Sequence, residues 1–189
     1  TLDYFVVNDG GVWGSDDDTD VEYIYQYLLE THNTAILTPE QIKDGWLTHI
    51  YLEGGDENFL WVSNEKALVL MTDQGMLPPE TGADGVNEFN NMIDAQLTTE
   101  IFGFFSPANP TVALQMAHLP IQTTARNDAE WISEFNVLMY SFAAYATYHT
   151  DHKNKSIKDK ILWIADKARQ RLPASSYSAD MYDFIRAAY

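Results

Sequence analysis

The chain has 189 residues and 46% of them are hydrophobic, so it is long enough to bury one sizeable core. Its formal net charge is −17 and its pI is near 4.3, which argues against nucleic acid and against an anionic membrane as partners. The absence of cysteine excludes disulfides, thiol catalysis and cysteine-ligated zinc. No apolar run is long enough to span a bilayer. We therefore expect a soluble protein that is cytoplasmic or secreted, and since the chain opens on Thr1 instead of methionine, secretion would follow removal of a leader.

Hydrophobic periodicity predicts helices along almost the whole chain. The first is predicted over residues 19–32, where Val21, Ile24 and Leu28 fall on one face. Later helices are predicted over residues 38–53, 58–73, 92–105, 112–119, 129–148, 156–172 and 177–189. Few segments alternate with period two, so we predict a single all-α domain over residues 1–189, a compact bundle of helices packed at steep angles.

Local signals mark several helix ends. Thr38 is predicted to be an N-cap, with Gln41 completing a capping box, and Ser156 is predicted to cap the helix over residues 156–172. Asp128 is predicted to cap the long helix that follows it, and this helix is apolar on most faces, so we expect it at the centre of the core. Residues 75–91 are rich in glycine, proline and asparagine and predict a long loop, a kind of segment that is often functional.

An acidic block precedes the first predicted helix. Asp16, Asp17 and Asp18 are adjacent, and three carboxylates repel one another more than capping of a helix N-terminus requires. We therefore expect a cation among them, and hard oxygen ligands favour Mg²⁺, Mn²⁺ or Ca²⁺ over zinc. A solvated capping turn is the alternative. A helix–loop–helix calcium site is excluded, because Val21 and Tyr27 occupy the positions where that loop needs glycine and glutamate.

Three other polar groups are candidates for binding. Asp94 and Gln96 open a mostly apolar helix and could both face a sugar hydroxyl or an amide, although Asp94 also suits a capping role. Asn64 lies between apolar flanks, where it is either a donor in a ligand pocket or an internally satisfied helix residue. His149 and His152 could bind a metal, but a solvated loop is the simpler interpretation.

The order of these segments resembles one bacterial-type branch of the ADP-ribosylglycohydrolase family, which includes dinitrogenase-reductase-activating glycohydrolases and crystallin-J1-like proteins. The resemblance covers nearly the whole chain, and the acidic block is its most specific part. Its motifs are residues 14–20 (GSDDDTD), 61–64 (WVSN), 76–79 (MLPP), 93–96 (IDAQ) and 102–103 (FG).

The resemblance implies an all-α metal-dependent hydrolase that cleaves the glycosidic bond of ADP-ribose in a modified protein or a small molecule. It implies two Mg²⁺ or Mn²⁺ ions in the complete enzyme, with Asp17 and Asp18 as ligands that carry the catalysis and Asp16 at a position where the family often has threonine. Asp94 and Gln96 would be substrate contacts, and Asn64 a further donor in that pocket.

Two departures from the family pattern affect this interpretation. The family's second metal-binding segment, an Asp-x-Asp-Thr-like motif near the C-terminus, has no counterpart here, and neither has the glycine-rich helix that usually precedes the acidic block. We therefore expect the chain to be the middle portion of a longer enzyme or a natural fragment. The alternative function is a non-catalytic structural or ligand-binding member that kept the helical scaffold.

A bound cation would make the stability of the protein depend on Asp17. We expect Asp17→Asn to melt at a lower temperature than the wild type in Mg²⁺ or Mn²⁺, because a ligand that binds only the folded state stabilises it. In a chelator the two proteins should melt together. Thermal melts in both buffers check this, and an equal difference in both would remove the metal hypothesis.

Overall fold

The computed structural model describes residues 17–50 and 60–189. Within these ranges the chain forms α-helices, one 3₁₀ turn and no strand, which confirms the all-α prediction. The helices are α1 (Asp17–Thr31), α2 (Pro39–His49), α3 (Val62–Gln74), α4 (Asp94–Thr98), α5 (Ile101–Phe105), α6 (Pro110–Gln122), α7 (Asn127–Tyr148), α8 (Ile157–Arg169) and α9 (Tyr177–Arg186), and the 3₁₀ turn is Glu80–Gly82.

The long helix α7 lies at the centre of the arrangement, as its apolar faces predicted. It packs against α4, α5, α6, α8 and α9, while α1 packs against α2 and α4. The main core is formed by apolar side chains from α1 to α7, whose largest fully buried members are Trp46, Tyr25, Phe102, Ile42, Leu68, Met71, Ile121, Val21 and Val137. No residue of α8 or α9 belongs to this core cluster, and both helices pack on α7.

Two predicted caps are confirmed. The Thr38 hydroxyl accepts from the Gln41 backbone N–H, and the Gln41 side chain accepts from the Thr38 N–H at 2.9 Å, so the capping box that opens α2 is complete. Ser156 caps α8 by accepting from the backbone N–H of Asp159. Both signals are local in sequence, which is why they could be predicted without tertiary structure.

Two other local predictions are wrong. Asp128 does not cap α7: it lies in the first turn of that helix, and its carboxylate accepts from the backbone N–H and the hydroxyl of Ser178 at the start of α9. The helix predicted over residues 92–105 is two short helices, because the backbone leaves the helical region at Thr99 (φ −131°, ψ −5°). The Thr99 hydroxyl donates to the Ala95 carbonyl at 2.6 Å, a local bond that competes with helix propagation.

The predicted loop between α3 and α4 is held by side-chain amides. It begins at Gly75, whose φ of +68° lies in the left-handed region that glycine adopts at low cost. Asn90 donates to the Gly82 carbonyl at 3.1 Å, and Asn87 donates to the Ser63 carbonyl at 3.1 Å, near the start of α3. The loop is thus tied to the end of α3 that carries the candidate site.

No helix in the part of the chain that the structure describes is both long and apolar enough to cross a membrane.

Two helix glycines allow a test of how closely the helices pack. A Cβ at Gly103 in α5 would lie 2.4 Å from the Val137 carbonyl oxygen of α7, whereas a Cβ at Gly45 in α2 would meet only the flexible end of Leu28, at 2.5 Å. We expect Gly103→Ala to lower the free energy of unfolding by about 1–3 kcal/mol, because the backbone cannot move aside. Gly45→Ala should cost less, since Leu28 can shift and alanine favours the helix. Urea unfolding of both variants measures the difference, and equal losses would contradict it.

Candidate metal and substrate site

The acidic block lies at a helix N-terminus, as predicted. Asp17 and Asp18 open α1, and with Asp20 they place three carboxylates in its first turn. The unpaired backbone N–H groups and the positive end of the helix dipole favour negative charge there. Asp16, the third residue of the predicted metal-binding group, lies outside the described residues, as does the glycine turn before it.

Asp17 and Asp94 both hold the N-terminus of α3. One Asp17 oxygen (Oδ2) accepts from the backbone N–H of Trp61 at 2.8 Å, and Asp94 Oδ1 accepts from the N–H groups of Ser63 and Asn64 at 3.0 Å each. The first turn of α3 has no side-chain cap of its own. Carboxylates from α1 and α4 therefore supply that cap, and the N-terminal ends of three helices meet at one point. Because Asp17 has this capping role, Asp17→Asn is expected to lower the melting temperature in a chelator as well, so the metal hypothesis predicts a larger difference in Mg²⁺ or Mn²⁺ and not an absence of difference in the chelator.

Asn64 lies within this junction and is fully buried. Its side-chain N–H group donates to Asp17 Oδ2 at 3.5 Å, while its carbonyl oxygen Oδ1 has no hydrogen-bond partner among the described residues. The second oxygen of Asp94, Oδ2, also has no hydrogen-bond partner among the described residues, and Asp94 is only 1% exposed. Two buried oxygens without a donor cost free energy in a folded protein, so each of them calls for a partner.

The junction opens into a small cavity of about 220 Å³. The side chains that line it are Asp17, Asp18, Trp61, Ile93, Asp94 and Leu97. A neighbouring cavity of about 400 Å³ shares Asp17 with it and adds Asp20, Tyr23 and Tyr27 among its walls. Three of the predicted site residues, Asp17, Asp18 and Asp94, thus line one space although they come from distant parts of the sequence.

Glu100 adds a further carboxylate to this side of the molecule. Burial raises the pKa of Glu100 to about 7, and the nearby charges of Glu22 and Asp18 act in the same direction. One Glu100 oxygen is buried and has no hydrogen-bond partner within residues 17–50 and 60–189. Sequence analysis did not single out Glu100, because it follows α4 as an ordinary polar residue and only the packing of α4 against α1 brings it near Asp18.

Gln96 is not among the residues that line either cavity. It is partly buried in α4, two positions after Asp94, and residues two apart on a helix point in different directions. Its predicted substrate contact stays a prediction.

A second cluster with metal-ligating groups was missed by sequence analysis. His118 of α6 and Glu130 and Glu134 of α7 place potential ligand atoms within 4.8 Å of one another. Arg171 already binds both oxygens of Glu134, at 2.5 and 2.9 Å, and Gln122 donates to Glu130 at 2.8 Å. In the sequence, only the spacing of Glu130 and Glu134, four residues apart on one predicted helix, indicated this cluster. Since a guanidinium already neutralises the buried carboxylate, we interpret this cluster as a packing network.

His149 and His152 belong to an aromatic cluster. His149 stacks on Tyr145 with ring centroids 4.4 Å apart, and His152 lies 4.1 Å from the Trp163 ring. Burial and the neighbouring Lys155 lower the pKa of His152. The solvated-loop interpretation is therefore wrong for His152, which is buried, and the ring contacts give this turn a packing role.

The junction of α1, α3 and α4 fits a hard divalent cation by its donor chemistry. It offers carboxylate and amide oxygens only, and two of them are buried without a donor. The oxygens of Asp17, Asp18 and Asp94 are not all within 4.8 Å of one another. A cation held here would therefore be coordinated by Asp17 and Asp18, which are adjacent in the sequence. Asp94 would either move closer to the cation or remain in its outer coordination shell.

Comparisons of the chain with protein-family models, with curated proteins and with solved structures found no match.

The raised pKa of Glu100 predicts how stability changes with pH. In the unfolded chain this carboxyl ionises near pH 4.5, and in the folded protein near 7, so folding becomes less favourable as the pH rises from about 4.5 to 7. Glu100→Gln removes this loss. Relative to the wild type in chelator, we expect the variant to gain about 1–2 kcal/mol between pH 5 and 8, a value reduced for solvent screening of a half-buried group.

Urea unfolding of the wild type and Glu100→Gln at several pH values measures this gain. Two curves that run parallel across this range would show that the carboxyl of Glu100 ionises normally in the folded protein.

Proposed function

We propose that this chain is a metal-dependent hydrolase, or the part of one that carries its first metal-binding segment, which cleaves the glycosidic bond of ADP-ribose in a modified protein or small molecule. The observation that supports it is the convergence of Asp17, Asp18, Asp94 and Asn64 at the junction of α1, α3 and α4. These residues come from three separate sequence segments, whose order resembles that of the ADP-ribosylglycohydrolases. Their meeting in one place supports a shared binding role.

Asp17 and Asp18 would hold Mg²⁺ or Mn²⁺, with Asp16 as the next candidate ligand. When bound, such an ion polarises ribose hydroxyls and lowers the pKa of a coordinated water. The chain's own contribution is a fixed frame, because the bonds from Trp61 and Ser63 orient the carboxylates of Asp17 and Asp94. Carboxylates held in this way would stabilise the positive charge that develops on a sugar ring during glycosidic cleavage.

The sizes of the two cavities suit a substrate with a small reacting end. A space of about 220 Å³ is smaller than the pockets that enclose whole drug-sized ligands, so it would take a single ribose ring. The adjoining cavity of about 400 Å³ could receive the group attached to that ribose. Tyr23 and Tyr27 would offer it aromatic faces, and Asp20 a carboxylate.

A cation is also needed for charge balance. ADP-ribose carries a diphosphate, and the chain has a net charge of −17, so without a neutralising ion the protein field would repel the substrate. A metal between the carboxylates and the substrate removes this conflict.

The second candidate is a non-catalytic scaffold, and one observation favours it. Asp17 and Asp94 already have a structural task, because each accepts backbone N–H groups at the start of α3. Carboxylates that serve only as caps require no metal. The two functions differ in whether Mn²⁺ binding depends on Asp18, which lines the cavity.

The experiment is a calorimetric titration of Mn²⁺, followed by ADP-ribose, into the full chain and two variants. Asp18→Asn removes one charge from the cavity, and Glu30→Gln removes one charge from the exposed far end of α1 as a matched control. We expect the wild type and Glu30→Gln to bind Mn²⁺ and then ADP-ribose, and Asp18→Asn to bind Mn²⁺ at least about tenfold more weakly, a loss of about 1.4 kcal/mol.

Each result separates the candidates. ADP-ribose binding that requires Mn²⁺ supports the hydrolase and justifies assays of arginine, serine and acetyl-ester linkages. Mn²⁺ binding without ADP-ribose would keep the metal site and reject the substrate. If neither ligand binds to a folded wild-type chain, the scaffold is the correct interpretation.

A further inference from the structure

Helix α9 packs on α7 through small side chains and exposes its large ones. Its buried residues are Ser178 and Ala179. None of its apolar side chains larger than alanine is buried, and Phe184 is 82% exposed. A surface helix normally turns its apolar side toward the core, so α9 has an apolar side available to another molecule. The exposed stripe of α9 consists of Tyr177, Met181, Phe184 and Ile185.

An apolar groove lies beside this stripe, between α8 and α9. Its volume is about 580 Å³. Ile157 and Ile161 of α8 line one wall and are 78% and 53% exposed, while Ile185 and Tyr189 line the other wall. Because Ile185 belongs to both the stripe and the groove, the two form one continuous apolar surface.

The groove is a fixed structure. Asp166 of α8 accepts two hydrogen bonds from Arg186 of α9, at 2.8 and 3.1 Å, and one from the Tyr182 hydroxyl at 2.8 Å. Arg169 and Asp183 form a second ion pair between the same helices, with a shortest distance of 2.7 Å. These bonds hold α8 and α9 in register, so the groove keeps its shape without a partner.

The exposed apolar area matches that of a protein–protein interface. The aromatic side chains of this surface expose roughly 400–500 Å², since a fully exposed aromatic side chain has an area of about 200 Å². The other apolar side chains expose a similar area. The total is close to the ~800 Å² that each partner buries in a stable interface of ordinary size. The side chains counted are Tyr177, Phe184, Tyr189, Ile157, Ile161, Met181 and Ile185.

The same surface contains a groove and a stripe that could fill it. In a dimer with two-fold symmetry, every contact that one copy makes with the other is made twice. The stripe of each copy would then occupy the groove of the other, and one association would cover both. An unrelated partner would have to supply a segment for the groove and a second surface for the stripe, whereas another copy of this chain carries both.

One cation and one carboxylate fit this pairing. Lys158 lines the groove, and Asp180 lies beside the stripe, three residues after Tyr177 and four before Phe184. Within residues 17–50 and 60–189, no carboxylate lies within 4.0 Å of the Lys158 amino group, and no Lys or Arg nitrogen lies within 4.0 Å of the Asp180 carboxylate. In the dimer, Lys158 of each copy would meet Asp180 of the other, which fixes the relative orientation of the two copies.

The net charge of −17 opposes association, but most of it lies away from this surface. Residues 153–189 contain eight Lys and Arg residues and four Asp and Glu residues, a net charge of +4, so residues 1–152 carry −21. At physiological ionic strength, charges further apart than about 8 Å are largely screened. The side chains at the contact therefore decide whether two copies associate.

We propose that two copies of this chain form a two-fold symmetric dimer in which the exposed stripe of α9 of each copy occupies the groove between α8 and α9 of the other. Two ion pairs between Lys158 and Asp180 flank the apolar contact. The dimer is independent of the hydrolase activity proposed above, because its surface shares no residue with the candidate metal site.

Three variants of the full chain test the apolar contact. Ile161→Glu places a charge in the groove and Phe184→Glu places one in the stripe, while Ile36→Glu is the matched control, because Ile36 is 54% exposed and lies outside α8 and α9. By analytical ultracentrifugation we expect the wild type and Ile36→Glu to dimerise at micromolar concentrations. Ile161→Glu and Phe184→Glu should weaken the dimer at least about tenfold. Circular dichroism should show the wild-type helix content for all three, since each altered side chain is exposed.

Charge reversal tests the orientation of the two copies. Lys158→Glu and Asp180→Lys should each weaken the dimer several-fold, because each places two like charges together at both symmetric positions. The double variant restores an opposite pair with reversed polarity, so it should dimerise more tightly than either single variant.

Other outcomes would overturn the proposal. A wild type that stays monomeric at several hundred micromolar would reject the dimer. A dimer that tolerates both Ile161→Glu and Phe184→Glu would be formed by another surface, and a double charge variant no tighter than the single ones would reject the proposed orientation. A monomer that co-sediments with phosphatidylserine vesicles, and loses this binding in Ile161→Glu and Phe184→Glu, would assign the surface to a membrane.

Discussion

The start of α3 depends on carboxylates that come from two other helices. Asp17 of α1 and Asp94 of α4 accept the backbone N–H groups that α3 cannot satisfy with its own residues. This bond pattern fixes where α1, α3 and α4 meet, and the loop before α4 is tied to the same end of α3 through Asn87. Because α1 and α4 also pack on each other, loss of the two carboxylates would destabilise the core as well as the cavity.

The same arrangement leaves polar groups for the proposed metal site. Each capping carboxylate has two oxygens, and Asp94 uses only one of them for α3. Its other oxygen and the Asn64 carbonyl oxygen are buried without a hydrogen-bond donor among the described residues. The capping role and the proposed metal role are therefore compatible, since one oxygen of Asp94 fixes the geometry that the other presents.

The sequence by itself determined the features that depend on near neighbours. These are the all-α class, the capping box at Thr38, the N-cap at Ser156, the central place of α7 and the position of Asp17 and Asp18 at a helix N-terminus, since periodicity and caps act within a few residues. Only the tertiary structure decided which polar groups meet. It turned Asp128 from a cap of its own helix into a partner of Ser178, placed Asp94 against α3, left Gln96 outside the cavities, and brought Glu100 near Asp18. Those pairings depend on how helices pack across the core, and no pattern within one segment encodes the distance between two of them.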